Sequence, residues 1–389
     1  MPRMSVRFVA LFLLVSLCGC DASTDDVPAR DGVPGSTRLA GLLGDDERQA
    51  FAYAIEPRAF AFPADHGPHP EFRNEWWYVT GNLESDSGRR FGYELTIFRF
   101  SLQPEPVAAA SDWRTEQIFI GHLAVSDPDG NRFLTDERYA RGALDLAGAE
   151  ASPFRVWLGD WQMVGGTGAD NGSLDWRIEA KSEVADVSLN VALEATKPAV
   201  LNGDRGLSQK SDEQGNASYY YSLTRAETQG TLRIGDENFS VTGSSWLDRE
   251  WSSSALSLDQ VGWDWFALQL DDGTELMYYQ LRRIDGSVDP LSAGTLTARD
   301  GTTRKLSSSD VELTVQDYWE SPRGGRYPSR WNLRVASADL ELDVEPVMPD
   351  QELATTVRYW EGAVDVRDQL RDARVTGRGY VELTGYADE

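Results

Sequence analysis

Short runs in which apolar and polar residues alternate make up most of the chain, and turn-forming residues separate these runs. Alternation with a period of two predicts β-strands with one buried face. The clearest pair of runs covers residues 263–270 and 275–282, joined by an Asp-Gly turn, which is a strong hairpin signal. Helical periodicity is limited to one short segment, residues 45–54. The pattern therefore predicts an all-β protein.

The alternating runs form two copies of one pattern. Four segments of the first copy are echoed in the same order in the second: 75–78 by 264–267, 121–127 by 294–300, 176–180 by 331–335, and 241–248 by 375–382. Echoes that keep their order indicate an internal repeat. Long antiparallel sheets usually close to remove their edges, so we predict two tandem antiparallel β-barrels, over residues 60–254 and 255–389. This alignment matches Trp246 with Tyr380, and Asp248 with Glu382.

The first twenty residues are typical of an export signal. Arg3 and Arg7 precede a short apolar run over 8–17, and the sequence Leu-Cys-Gly-Cys follows. This ending resembles a bacterial lipobox and predicts that Cys20 carries a lipid after cleavage; an ordinary signal peptide is the alternative. Residues 21–59 are rich in Asp, Pro, Gly and Ser, which predicts a flexible tether with one short helix.

Charge and cysteine content restrict the partners. A formal net charge of −26 argues against nucleic acid, whose phosphates would be repelled. It also argues against docking on anionic lipid headgroups, so membrane attachment should come from the lipid on Cys20. The mature chain would have no disulfide, because cleavage removes Cys18. We therefore expect an exported lipoprotein of the bacterial cell envelope, anchored on the periplasmic side of a membrane.

Asp248 is the first candidate for chemistry. It shares a strand face with Trp246 and precedes the aromatic hairpin by only a short linker. A carboxyl group in apolar surroundings has a raised pKa and can act as a proton donor. The alternative is an ion pair or a strand-end hydrogen bond that holds the two copies together. The aromatic residues predicted to contact a ligand are Trp76, Trp77, Trp246, Trp263, Trp265 and Tyr279.

The three histidines all lie in the first copy, at His66, His69 and His122. The first two form an H-x-x-H pattern with Glu75 close behind. The pattern lies in a Pro/Gly loop rather than on a helix face, so we predict no metal and no other cofactor. A loop that closes a barrel is the simplest interpretation, with His66 as a candidate catalytic group. No G-x-S-x-G elbow is present to support serine hydrolase chemistry.

Several long strings resemble the lipocalin-like AttH and carotenoid 1,2-hydratase family, whose members are often described as predicted secreted hydrolases. The resemblance covers about residues 60–386 and rests on FPADHGPHPEFRNEWWYVTGNL, GYELTIFRF, WLDREWS, GWDWFALQLDDG and YWEGAV. It implies two tandem lipocalin-like barrels and an apolar ligand of lipid or isoprenoid type.

The resemblance also implies a role for individual residues. In the hydratase branch an Asp at the end of the strand that matches 241–248 is thought to be the acid, which implies Asp248. A His is expected about one strand earlier, but residues 218–222 contain none. Tyr221 can replace the hydrogen bond of that His, so it is a further candidate catalytic residue. Two kinds of function remain open. One is an envelope protein that binds an apolar ligand; the other is an enzyme, either a hydratase of isoprenoid double bonds or a hydrolase of lipid-like substrates.

Overall fold

Strands account for nearly all of the regular structure. The computed structural model describes residues 51–104, 111–165, 175–254, 256–370 and 376–387. All of these residues belong to one unit, Val33–Glu389. The non-strand elements in these ranges are three single turns of 3₁₀-helix, at Ala64–His66, Ser308–Asp310 and Ala336–Ala338. None of the helices in the described ranges has the length and apolar character that a membrane span requires.

The described strands form two antiparallel sheets. The first sheet contains β1 (Asn74–Ser85), β2 (Arg90–Ser101), β3 (Gln117–Asp127), β4 (Arg132–Arg141), β5 (Ala147–Ala151), β6 (Phe154–Leu158), β7 (Trp161–Gly165), β8 (Asp175–Ser182), β9 (Val187–Ala195), β10 (Val200–Leu201), β11 (Leu207–Gln209), β12 (Ala217–Ile234) and β13 (Glu237–Ser254). The second contains β14 (Gln260–Leu270), β15 (Glu275–Arg283), β16 (Ala293–Thr297), β17 (Thr303–Ser307), β18 (Glu312–Glu320), β19 (Arg326–Val335), β20 (Leu340–Pro346), β21 (Glu352–Ala354), β22 (Arg358–Asp368) and β23 (Thr376–Thr384).

The two sheets share one strand order, which confirms the internal repeat. The first runs β4-β3-β2-β1-β13-β12-β9-β8-β7-β6-β5, and the second runs β17-β16-β15-β14-β23-β22-β20-β19-β18. Each strand of the second sheet therefore has a counterpart in the first, whereas β5 and β6 have none among the described strands of the second. The first sheet is a nearly closed barrel and the second a half-barrel. The predicted all-β fold of two repeated antiparallel sheets is thereby confirmed, and the second copy closes less completely than the first.

The residue-level register differs slightly from the predicted alignment. Trp265 lies opposite Glu382, and its counterpart Trp76 lies opposite Glu250. Glu382 therefore matches Glu250 when the first strands are aligned on these tryptophans, two residues away from the predicted match with Asp248. Because side chains alternate with a period of two, this shift leaves all three acids on the corresponding face of their strands.

Alternation also separates core residues from those on the opposite face. In β1, Trp77 and Val79 pack inside the first barrel, while Tyr78 packs against the other half of the molecule. The barrel interior is filled by large side chains, among them the fully buried Trp161 and Trp251. The first barrel therefore has a packed side-chain core.

The outer faces of the two sheets pack against each other through polar as well as aromatic contacts. Asn82 Nδ2 donates to the carbonyl oxygen of Gly379 at 3.0 Å. Gln269 Nε2 donates to the carbonyl oxygens of Thr224, at 2.7 Å, and of Ser245, at 3.1 Å. Buried hydrogen bonds of this kind fix how the two repeats sit on each other.

The N-terminal predictions fall mainly on residues outside the described ranges. These include the export signal, Cys20, most of the tether and most of the helix predicted over 45–54. Residues 51–54 are described and are not helical. The backbone of Ala52 is bonded to other segments instead: its N–H donates to Glu71 O at 2.9 Å, and Ser253 Oγ donates to its carbonyl oxygen at 2.5 Å. These bonds use the groups that a helix would need.

Candidate active site between the two repeats

A cavity of about 140 Å³ lies between the two sheets. Its walls come from the outer faces of β1, β2, β3 and β13 on one side and of β14, β15 and β23 on the other. The lining is largely aromatic and aliphatic, and includes Trp76, Tyr78, Phe98, Phe100, Ile120, Trp263, Trp265, Tyr279 and Leu281. Such a surface suits an apolar small molecule.

The predicted ligand-contacting aromatics fall into three groups. Trp76, Trp263, Trp265 and Tyr279 line the cavity. Trp246 lies behind the wall, where its Nε1 donates to Asp248 Oδ1 at 2.7 Å. Trp77 is different, because it is fully buried in the core of the first barrel, on the opposite face of β1 from Trp76. Its indole Nε1 donates to the carbonyl oxygen of His66 at 2.9 Å.

Asp248 lies in the cavity wall and is held by neutral donors. Ser222 Oγ donates to its Oδ1 at 2.5 Å, and Tyr220 OH donates to its Oδ2 at 2.5 Å. Among the described residues no Lys or Arg forms an ion pair with it, and Arg249 points to the other face of the strand, into the first barrel. The ion pair considered as a structural role for Asp248 is thus absent from this part of the chain.

Burial favours the protonated form of Asp248. It raises the pKa of this carboxyl to about 7, against the lowering effect of the hydrogen bonds from Ser222, Tyr220 and Trp246. A hydroxyl can accept as well as donate, so Tyr220 can turn to accept the proton of the neutral acid. Trp265 Nε1 already donates to Tyr220 OH at 3.1 Å, which keeps that hydroxyl in place. Asp248 is therefore a carboxyl group that can carry a transferable proton near neutral pH.

His66 and Tyr221 lie apart from this acid. Tyr221 alternates with Tyr220 along β12 and points into the barrel core. His66 Nδ1 and Tyr221 OH are 2.6 Å apart, and aromatic rings, among them Trp176, surround the imidazole. Burial, with Arg249 nearby, lowers the pKa of His66 to about 4, so the ring is neutral at physiological pH. The three candidate catalytic residues are thus not brought together.

The H-x-x-H loop is held in place by contacts of His69 with an aromatic ring and two acidic side chains. His69 stacks on Trp251 with ring centroids 3.7 Å apart, and its Nδ1 lies 3.2 Å from Glu75 Oε2. Its Nε2 lies 3.2 Å from Asp65 Oδ1. No group of ligands suited to a metal ion occurs in the described ranges. The loop packs against the end of the first barrel through these contacts.

His122 lies at the rim of the cavity. Its Nδ1 is 2.6 Å from Tyr359 OH, on the second sheet, and its Nε2 is 3.1 Å from Glu137 Oε1. Glu137 in turn accepts from the backbone N–H of Thr356 at 3.0 Å. The rim is therefore held by hydrogen bonds that join the two repeats.

Three further acids are buried where the sheets meet. Glu361 and Glu382 lie directly opposite each other on β22 and β23, and Glu94 approaches from β2. Tyr78 OH donates to Glu361 Oε1 at 2.7 Å. Burial raises the pKa of all three carboxyls, and that of Glu382 to about 8. Neighbouring acids add to the rise: Glu382 acts on the pKa of Glu94 and Glu361, whereas Asp248 and Glu250 act on that of Glu382. Packing of the two sheets therefore favours the neutral form of these acids.

Sequence reasoning missed several polar residues that line the cavity, among them Lys210, Tyr220 and Glu250. Tyr220 was detectable in principle, because it follows the same alternation as Ser222 and Ser218 on β12. Lys210 follows the short strand β11 and reaches the cavity only through the folding of the 203–216 loop. No periodic signal marks such a position.

Comparison with known proteins gives the family. A family model for AttH-like proteins matches residues 53–386. The chain belongs to the AttH-like family. A Nitrosomonas europaea protein of known structure assigned to AttH is 36% identical, with a TM-score of 0.76, over 87% of this chain and 100% of that one. The resemblance to AttH seen in the sequence is thereby confirmed.

More distant structures share the AttH-like fold. Kievitone hydratase from Nectria haematococca is 17% identical with a TM-score of 0.63, over 88% of this chain and 99% of its own. CghA in complex with Sch210972 is 12% identical with a TM-score of 0.51, over 88% of this chain and 98% of its own. At these identities the likeness concerns the fold. No curated protein sequence matches the chain.

Proposed function

We propose that this AttH-like protein is a hydratase that adds water across an isolated carbon–carbon double bond of an apolar molecule bound between the two repeats. The observation that carries the proposal is Asp248, a buried carboxyl with a raised pKa and no cationic partner among the described residues, in the wall of an aromatic cavity. Alkene hydration begins with protonation of carbon, which needs such an acid. The hydratase among the structural neighbours is consistent with this reaction class.

The first step of the proposed reaction is protonation of the alkene by Asp248. The alkene π electrons take the proton from Asp248, a C–H bond forms, and the carboxyl becomes a carboxylate. The more substituted carbon becomes a cation. The faces of Trp76, Trp265 and Tyr279 line the same cavity and can stabilise it by about 1–2 kcal/mol each when desolvated. Water then adds to the cation and loses a proton, which gives a tertiary alcohol.

Replacing Asp248 by Asn is expected to lower the rate of hydration by about 10²- to 10⁴-fold, because an amide cannot donate the acid proton. Geraniol, farnesol and squalene, which all end in an isopropylidene group, are incubated with the protein in H₂¹⁸O, and labelled tertiary alcohol is measured by mass spectrometry. The rate of the unchanged protein should fall as the pH rises above about 7, where Asp248 loses its proton.

The matched control is Asp365→Asn, an exposed acid that pairs with Arg90 on the surface. Both variants should keep their fold and bind the neutral apolar dye N-phenyl-1-naphthylamine as the unchanged protein does. Undiminished turnover in Asp248→Asn, or no alcohol from any of the three alkenes, would reject the proposal. In the second case binding of the dye alone would favour an envelope protein that holds an apolar ligand without turnover, a role that the aromatic lining also supports.

We also propose that the protein works at the bacterial cell envelope, anchored by a lipid on Cys20, where apolar substrates are concentrated. The support is the lipobox-like ending of the N-terminal apolar run. Changing Cys20 to Ser is expected to abolish incorporation of radiolabelled palmitate and to move the protein from the membrane fraction to the soluble fraction. A Cys20→Ser protein that is still lipidated and sediments with membranes would overturn this localisation.

A further inference from the structure

A second carboxyl group, that of Glu250, lies beside Asp248 in the cavity wall. Glu250 is two residues from Asp248 on the same face of β13, and both line the cavity. Residues two apart on a strand have Cα atoms roughly 6.5–7 Å apart and side chains on the same face, so both carboxyls face the cavity. Two carboxyls in one cavity can divide acid and base roles between them.

The surroundings of these two acids are electrically different. Asp248 has neutral donors, whereas Glu250 has the ammonium group of Lys210 at 3.0 Å and also accepts from Ser218 Oγ. Lys210 is buried, which opposes its charge, but the Glu250 carboxylate beside it raises the pKa of Lys210 above its ordinary value. The Lys210–Glu250 ion pair therefore lies inside the cavity, next to a carboxyl with which no Lys or Arg of the described residues pairs directly.

The ion pair is not needed to hold the loop that carries Lys210. The backbone of this loop is fixed by its own bonds: Lys210 N–H donates to Asn216 O at 2.9 Å, and Gln260 Nε2 donates to Lys210 O at 2.7 Å. The Lys210 side chain can therefore have a role within the cavity. Its ammonium nitrogen also lies 4.2 Å from the centre of the Tyr279 ring.

We propose that Glu250 is the catalytic base that takes the proton from the attacking water, with Lys210 pairing with its carboxylate and holding it in place. This inference rests on the proposed hydration at Asp248. A lone pair of the water oxygen forms the C–O bond to the cation, one O–H bond breaks, and its proton goes to Glu250. The proton is returned to the Asp248 carboxylate through the solvent that enters as the product leaves, which restores both groups.

The test separates the two steps with the same alkenes in D₂O. Protonation of the alkene by Asp248 is reversible, so deuterium should enter unreacted alkene even when water addition is blocked. In Glu250→Gln, deuterium incorporation should stay within about threefold of the unchanged protein, while alcohol formation falls at least 10²-fold. Asp248→Asn should lose both. N-phenyl-1-naphthylamine binding reports an intact cavity in each case.

Each possible outcome either supports or rejects the role of Glu250 as base. Alcohol formation at the normal rate in Glu250→Gln rejects this inference and leaves the proposed function standing. Loss of both activities in that variant shows that Glu250 positions the substrate or Asp248, and also rejects the role of base. If the unchanged protein forms neither deuterated alkene nor alcohol, the proposed function is rejected, and this inference is rejected with it. If the unpaired Lys210 prevents folding, the double variant Lys210→Met/Glu250→Gln removes both charges and should give the same separation of exchange from hydration.

Discussion

Replacing Glu75 by Gln is expected to lower the free energy of unfolding by about 3–5 kcal/mol, since it leaves two buried guanidinium groups without their counter-ion. Arg99 and Arg249 both pair with this carboxylate, Arg99 at short range through Nε and Arg249 through Nη2 at 3.1 Å. All three side chains are fully buried. Urea unfolding followed by tryptophan fluorescence measures the change.

The surrounding contacts explain why the effect should be large. Burial alone would raise the pKa of Glu75, but Arg99, the hydrogen bond from His69 and Arg249 together hold it well below its usual range. Arg249 also stacks on Trp77, with its guanidinium carbon 4.1 Å from the ring centre. The carboxylate thus joins β1, β2 and β13 to the loop that packs against the end of the first barrel.

Glu84→Gln is the matched control for this experiment. It lies on the same strand and pairs with Arg378 at 3.0 Å, but both side chains are well exposed, at 45% and 37%. Loss of the Glu84–Arg378 ion pair should lower the free energy of unfolding by less than about 1 kcal/mol. A Glu75→Gln protein that is destabilised no more than this control would show that the network contributes little to the fold.

The stability of the protein is expected to fall between pH 6.5 and pH 8.5. Glu382 has its pKa raised from its ordinary value of 4.5 to about 8, and that of Asp248 rises from 3.8 to about 7. A carboxyl with a raised pKa contributes stability that is complete below its unfolded value and is lost as the pH rises through its folded value. At about 1.4 kcal/mol for each pH unit, Glu382 alone accounts for about 2 kcal/mol from pH 6.5 to 8.

The pH range is chosen to separate this effect from others. The lowered pKa of His66 acts in the opposite sense, but only between about 4 and its ordinary value of 6.5. Urea unfolding at half-unit steps should show the decline, and Glu382→Gln should make it shallower. The exposed control Glu320→Gln should leave the slope unchanged. A constant free energy across this range would contradict burial of neutral carboxyls between the sheets.

The sequence predicted the strands and the repeat well because both depend on local alternation. The faces of β1, β13 and β14 follow directly from a period of two, so Trp76, Asp248 and Trp265 could be assigned to one kind of surface. What that surface packs against was not predictable in the same way. Trp76 and Trp77 are neighbours with similar side chains, and nothing local to them shows that only the first faces a cavity.

Other features depend on long-range packing. The second sheet is a half-barrel, and its described strands include no counterparts of β5 and β6. The greater length of the first copy was a signal of this difference. The raised pKa of Asp248 agrees with one of the two alternatives that the sequence left open, whereas the ion pair of Glu250 depends on Lys210, which lies far away in sequence. Burial of Glu361 beside Glu382 likewise follows from the packing of two sheets and from no property of their own strands.

The placement of the cavity between two copies of one unit has a consequence for its symmetry. Two identical units packed in this way would present identical walls, so any acid on one side would be repeated on the other. Joining the copies in a single chain removes that constraint. One wall can then carry Asp248 and the Lys210–Glu250 ion pair while the other carries Glu382. A bound molecule therefore contacts two chemically different walls. An asymmetry of this kind suits a directional reaction, in which one end of a double bond gains hydrogen and the other gains oxygen.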